Sequence, residues 1–239
     1  MKVHVVNGAP SESIFKMSVI VDVLRSSSTI TAALNNGAES VIPFSNIRDA
    51  IRFANTAKRR SKVVLAGERH GITPKGFNYN ISPLDMTREN VEGRTIVYSS
   101  TNLTRILSRV RGRSRVLIGG LNNAKAVANY LKKIDGDRVM IIACGTNQGS
   151  TIEDLTGAGA IVDSLVAEDL TDGALIALGL YRNPDWRSSA EGGRIARKLR
   201  SLGFERDIDF CLSLDISSVV PGLVRNKIVN LSNEQIVLS

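Results

Sequence analysis

Four short segments place acidic, basic and hydroxyl side chains directly after apolar runs, where they could bind a phosphorylated anion and the cation that neutralises it. In SVIVDVLRSSST, residues 18–29, an apolar strand delivers Asp22, then Arg25, then hydroxyls before a helix through Leu34. A strand-end carboxylate, a guanidinium and the free N–H groups of a helix start could together hold a metal ion and a phosphate. The same residues also make a capped helix with an Asp22–Arg25 ion pair and a serine-rich turn. In LAGERHG, residues 65–71, Glu68, Arg69 and His70 stand between glycines after a second strand. Glu68 could bind a hard cation and Arg69 an anionic oxygen pair, while His70 is either catalytic or an exposed turn residue.

YSSTNLTRIL, residues 98–107, is a third such junction, with Asn102 at the helix start and Arg105 one turn in. Hydroxyl and amide side chains there also serve as ordinary N-caps. In IACGTNQGSTIEDLTGAGA, residues 142–160, Glu153 and Asp154 open a helix. As first-turn acids they complement the helix dipole; facing the crevice of Asp22 and Glu68, they could complete a magnesium site.

Spacing excludes several sharper motifs. Gly145 to Gly149 lacks the Lys-Ser/Thr of a nucleotide-binding loop, and GAGAIV lacks the third small residue of a dinucleotide fingerprint, so no nucleotide cofactor is indicated. Cys144 is followed by Ser150 and Thr151 rather than by the arginine of a thiolate phosphatase. Leu24 stands where a phospho-aspartate mechanism of the haloacid dehalogenase kind wants a second aspartate. His4 and His70 are the only imidazoles, so any metal site must be built from oxygens. The pair Cys144 and Cys211 reads as packed thiols rather than a disulfide framework.

These segments need a scaffold of strands and helices. Val- and Ile-rich runs at 17–24, 62–66, 95–98, 115–118 and 138–144 read as buried strands. Ala124, Val127, Ala128 and Leu131, then Leu155, Ala158, Val162 and Leu165, repeat at helical spacing. The alternation predicts an α/β layered fold, α/β/α with a mixed, largely parallel central sheet, binding ligands just beyond the strand ends. The whole chain is expected to form one domain, with a basic helix near residue 200 and further strand-like segments after residue 180, as a sub-lobe or a sheet extension. The irregular stretch 67–92 is the first place to look for a lid.

With 239 residues, 43% hydrophobic and 23% charged, the chain can bury a full core, which excludes disorder and coiled coil. No apolar run approaches the about 18 residues that cross a bilayer, and the start carries no apolar leader, so a cytoplasmic protein without membrane contact is expected. The 31 Lys and Arg against 23 Asp and Glu give a net charge of +8, which favours anionic partners. Aromatics are only 5% and no RNA-binding aromatic motif accompanies the basic stretches, so a small anion is favoured over nucleic acid. Those stretches, at 58–60, 109–115 and 194–200, read as solvated helix faces that steer anions.

Taken in order, DVLRSSST, GERHG, GFNYNISPL (76–84), STNLTR, NNAKAVA (122–128), CGTNQGSTIEDLTGAG (144–159) and the region of Asp207, Asp215 and Pro221 resemble the 2-phosphosulfolactate phosphatase (ComB-like) family. Two positions depart from its pattern: Ile81, where an amide is expected, and Leu103, in place of glycine. The resemblance implies a magnesium-dependent phosphatase hydrolysing (R)-2-phospho-3-sulfolactate to 3-sulfolactate and phosphate, a step towards coenzyme M. Joined to the residues above, it assigns Mg2+ to Asp22, Glu68, Glu153 and Asp154, and phosphate oxygens to Arg25 and Arg69. Thr29, Asn80, Ser82 and Asn102 would orient substrate, and Arg105 would meet its remaining negative charge. Cation plus arginines over an activated water is a sufficient mechanism for phosphoryl transfer. Rival readings are a phosphatase of another 2-phospho-hydroxy acid or phosphomonoester, and a non-catalytic anion or nucleic-acid binder. A homo-oligomer is compatible with each.

Overall fold

Alternation along each strand sorts the apolar side chains onto two faces of one sheet. The computed structural model describes residues 1–10, 15–57, 62–134 and 137–232; the basic stretch 58–60 lies outside the described residues. In chain order the first half comprises β1 (Lys2–Asn7), β2 (Met17–Val21), α1 (Ser26–Asn35), β3 (Ser40–Pro43), α2 (Ile47–Ala57), β4 (Val63–Gly67), α3 (Arg88–Val91), β5 (Thr95–Ser99) and α4 (Leu103–Val110). The second half comprises β6 (Arg115–Gly119), α5 (Ala124–Lys133), β7 (Arg138–Ala143), α6 (Ile152–Leu165), β8 (Asp169–Leu170), α7 (Asp172–Arg182), α8 (Trp186–Glu191), α9 (Arg194–Ser201), α10 (Glu205–Cys211), β9 (Pro221–Val224) and β10 (Lys227–Asn230).

The strands form a ten-stranded sheet in the order β4-β5-β3-β10-β9-β6-β2-β7-β1-β8. Two parallel blocks, β4-β5-β3 and β6-β2-β7-β1-β8, are joined by the antiparallel hairpin β9-β10. The fold is therefore α/β with a mixed, largely parallel sheet. Met17, Val19 and Val21 of β2 pack with residues of α5 to α10 on one face, whereas Ile20 packs with α1 and α4 on the other. In β5, Ile96 and Tyr98 share that second face, and Val97 turns back towards Ala50 and Ala54 of α2. This period of two is what a strand buried on both sides requires. Helices α8 to α10 cover the same face as α5 to α7, and β9 and β10 enter the centre of the sheet.

Close helix contact explains one glycine. A Cβ on Gly159 of α6 would lie 2.0 Å from the carbonyl oxygen of Ala177 in α7, so the two helices can meet only because nothing is there. The stretch 67–92, the first place to look for a lid, is anchored over its second part. Ile81, Met86 and Val91 are buried in the α1/α4 core, and Ser82 caps a 3₁₀ turn at Pro83–Asp85 by accepting from the Leu84 N–H. These anchors fasten residues 81–91, whereas Ile72 in the first part of the stretch is 65% exposed.

Candidate active site

The ends of β2, β4 and β5 converge on a cavity of about 290 Å³ lined by Asp22, Glu68 and Asn102 from one side and by α9 from the other. Backbone amides at the start of α4 and just before it hold both carboxylates. Leu103 N donates to Asp22 Oδ2 at 3.2 Å, and Thr101 N donates to Glu68 Oε1 at 2.6 Å. Helix N-termini favour negative charge in this way. Ser26 Oγ adds a bond to Asp22 Oδ2 at 2.7 Å, and Gly71 N donates to Glu68 Oε2 at 2.8 Å. That second bond needs the tight turn Glu68–Gly71, in which His70 (φ 57°) and Gly71 (φ 89°) are left-handed. A left-handed histidine is an uncommon arrangement, and it lines the cavity.

Burial pushes the Asp22 carboxyl up to about 6; the Ser26 hydroxyl opposes the shift and the Glu68 charge adds to it. Glu153 is pushed up to about 7, chiefly by burial, with the Asp22 charge adding and Arg194 opposing. Asp154 is raised by burial and by the charges of Glu153 and Asp22. So much uncompensated carboxylate in one place is the electrostatic signature of a site for positive charge.

The expected metal ligands divide into two kinds. Glu68 and Asp154 have both oxygens engaged by backbone amides, Asp154 by Val23 N at 2.8 Å and Gly145 N at 2.9 Å. They fasten the strand-end loops together. Glu153 Oε2 is buried with no hydrogen-bond partner; of the four, Asp22 and Glu68 line the cavity, and Glu153 and Asp154 do not. Among the described residues no three His, Cys, Asp or Glu side chains are placed to share a metal ion, so the four do not form one cage. Mg2+ keeps several waters and takes one or two carboxylates, and Asp22 with the orphaned Glu153 fits that demand.

The other expected residues also take definite places. Arg25, 2% exposed, lines the cavity but pairs its Nη1 with Asp207 and donates from Nη2 to Asn80 Oδ1 at 2.6 Å, under the ring of Phe204 at 4.1 Å. Arg69 is turned away: its guanidinium donates to the carbonyls of Glu68 (2.6 Å) and Ser45 (2.7 Å) and to Ser99 Oγ (2.9 Å). A guanidinium so engaged braces β4 against β5 and is not free for a phosphate. Thr29 Oγ1 sits 2.5 Å from the Ile81 carbonyl, Asn80 Nδ2 donates to Thr73 Oγ1 and Gly71 O, and Ser82 Oγ donates to Asp207 Oδ1. These three hold Arg25 and the 70s loop in place; they do not line the cavity.

Asn102 does line it, whereas Arg105 does not and stands near Cys144, a buried thiol. Of the two departures, Leu103 is fully buried in the core and Ile81 forms part of the cavity wall. Arg194 and Lys198 of α9 also line the cavity, as do Thr146 to Gln148. The basic run of α9 reads in sequence as a solvated face; an arginine at the first helical position, where the dipole disfavours it, is the available sign of another role.

A family model described as 2-phosphosulpholactate phosphatase matches residues 3–226. A Thermotoga petrophila protein named "Probable 2-phosphosulfolactate phosphatase" is 37% identical over 211 residues, 87% of this chain and 89% of its own. Proteins of the same name from Caldanaerobacter subterraneus subsp. tengcongensis (37% over 225 residues, 92% of each chain) and Symbiobacterium thermophilum (34% over 237 residues, 95% and 99%) are similar to the same extent.

Proposed function

We propose, because the chain belongs to the 2-phosphosulpholactate phosphatase family and is thereby a phosphoric monoester hydrolase, that it hydrolyses (R)-2-phospho-3-sulfolactate to 3-sulfolactate and phosphate with Mg2+, a step towards coenzyme M. The observation that carries the reading is the pairing of two buried, mutually repelling carboxylates, Asp22 and Glu68, with the cationic Arg194 and Lys198 around one small cavity. About 290 Å³ lies at the small end of ligand sites and suits a metabolite better than a polynucleotide. Among the described residues no helix is long and apolar enough to cross a membrane, and the free thiols Cys144 and Cys211 accord with a reducing cytoplasm.

In this reading Asp22, with the unpartnered Glu153, would hold Mg2+, which when bound would supply charge neutralisation and acidification of a water. The residues of the chain do the positioning. Ser26, hydrogen-bonded to Asp22, and Asn102 at the start of α4 would face the transferred group, and Arg25, its charge balanced by Asp207, forms part of the cavity wall. Glu68 ties the loops after β4 and β5, Asp154 ties those after β2 and β7, and Asp207 with Asn80 fixes Arg25. Such preorganisation is most of what phosphoryl transfer asks of a protein.

The test is phosphate release from 2-phosphosulfolactate, 2-phospholactate and p-nitrophenyl phosphate, each with Mg2+ and with EDTA. Magnesium-dependent turnover favouring the sulfonate is the expected result. Release from none of the three would overturn the phosphatase reading, and equal release in EDTA would remove the metal.

A further inference from the structure

Positive charge is distributed unevenly around the cavity. Arg25 is neutralised by Asp207, Arg69 is engaged by carbonyls, and Arg105 lies outside the lining. What remains facing the cavity is Arg194 and Lys198, together with the His70 imidazole at the rim. Their i, i+4 spacing puts both on one side of α9, and Ala196 and Leu199, packed into the core, fix which side that is. The other basic residues of the helix are otherwise occupied: Arg197 and Arg200 donate to the carbonyls of Gly192 and Glu191. Arg194 is tethered by Nη2 to Thr146 Oγ1 at 2.8 Å, which aims the guanidinium along the cavity wall. Lys198 has no ion-pair partner among the described residues.

A phosphoryl group placed at the carboxylate side, as proposed above, leaves this wall for whatever other acid the substrate carries. We infer that Arg194 and Lys198 bind the carboxylate or sulfonate of a phosphorylated hydroxy acid, and so set the selectivity of the cavity for esters that carry a second anionic group. The inference rests on the phosphatase reading for its orientation, but the wall itself can be examined without turnover. A fork-shaped guanidinium suits the paired oxygens of a carboxylate or sulfonate, and a mobile ammonium one turn along can follow either group. The basic first turn of α9, unfavourable for the helix by itself, acquires a reason in the ligand it meets.

Arg194→Gln, Lys198→Gln and the double variant test this in the full chain with Mg2+. The ratio of kcat/KM for 2-phosphosulfolactate to that for glycerol 2-phosphate, a secondary ester with no second acid, should fall by about ten- to a hundredfold in the double variant, the scale of lost charged hydrogen bonds. The loss should lie in KM rather than kcat, and Lys198→Arg should restore most of the Lys198→Gln defect. 2-Phospholactate, with a carboxylate alone, separates the two acid groups: a loss as large as with the sulfonate assigns the wall to the carboxylate, a smaller one to the sulfonate. Titration calorimetry of 3-sulfolactate in EDTA should show binding weakened by the same factor. A ratio that does not move, with both esters falling together or neither, overturns the inference. Wild-type protein that releases no phosphate yet loses 3-sulfolactate binding in the double variant would keep the acid-binding wall while sinking the phosphatase reading. Unchanged 3-sulfolactate binding would sink the wall itself.

Discussion

Buried carboxyls that resist ionisation make the metal-free protein less stable as the pH rises. Asp22 is shifted from an ordinary 3.8 to about 6, and Glu153 from 4.5 to about 7. Both bind protons more tightly in the folded chain than in the unfolded one. Their contribution is therefore fully present below about pH 4 and is lost as the pH climbs through about 6 to 7. A roughly hundredfold tighter hold on a proton is worth about 3 kcal/mol, at about 1.36 kcal/mol for each factor of ten. Because the two groups repel each other and titrate as a set, that figure serves for the pair. For a chain of this size it translates to a fall in melting midpoint of about 6–12 °C between pH 5 and pH 8 in EDTA. Excess Mg2+ should recover much of that loss at pH 8, where the carboxylates are ionised, and little at pH 5, where protons compete. Scanning calorimetry at the two pH values, with Mg2+ or EDTA, provides the four midpoints. A metal-free midpoint that is level or rises from pH 5 to 8 would refute the electrostatic reasoning. A normal fall without recovery by Mg2+ would refute the metal assignment alone.

Three further outcomes follow from single contacts. Asp22→Asn should lower kcat by about three orders of magnitude or more while circular dichroism stays native, and it should raise the EDTA midpoint at pH 8; near-normal activity in the folded variant would remove Asp22 from the mechanism. Asp207→Ala leaves Arg25, 2% exposed, without its charge partner and frees Ser82 as well; chemical denaturation should register a loss of about 3–5 kcal/mol, and a loss under 1 kcal/mol would mean that Arg25 finds water instead. Gly159→Ala drives a Cβ to 2.0 Å from the Ala177 carbonyl and must part α6 from α7; a cost of about 1–3 kcal/mol is expected, and a neutral result would contradict the helix contact.

What sequence could reveal was decided by the range over which each feature is determined. β2, β4, β5, β6 and β7 are legible because five or six consecutive Val- and Ile-rich residues state both conformation and burial locally. β1 hides because His4 and Lys2 break its apolar run, and β10 cannot be placed because its partner Val41 lies almost the whole chain away. The same distinction governs the site. A carboxylate at a strand end marks a crevice, and Asp22 and Glu68 do line one, whereas Glu153 and Asp154 are buried outside its lining, near enough for their charges to act on that of Asp22. Whether such a carboxylate meets a cation or an amide depends on which helix end arrives opposite it. The Val23 and Gly145 amides claim Asp154, the Gly71 and Thr101 amides claim Glu68, and Glu153 Oε2 is left without a partner. Arginines follow the same logic in reverse. Arg69 is drawn off by carbonyls next to it in space, and Asp207 of α10 neutralises Arg25 from 182 residues away. The charge that faces the cavity is consequently supplied by α9, which buries Ala196 and Leu199 on one side and keeps Arg194 and Lys198 exposed on the other, where they line the cavity. Short-range spacing thus locates the chemistry, and long-range packing determines which of the charged residues there remain available to a ligand.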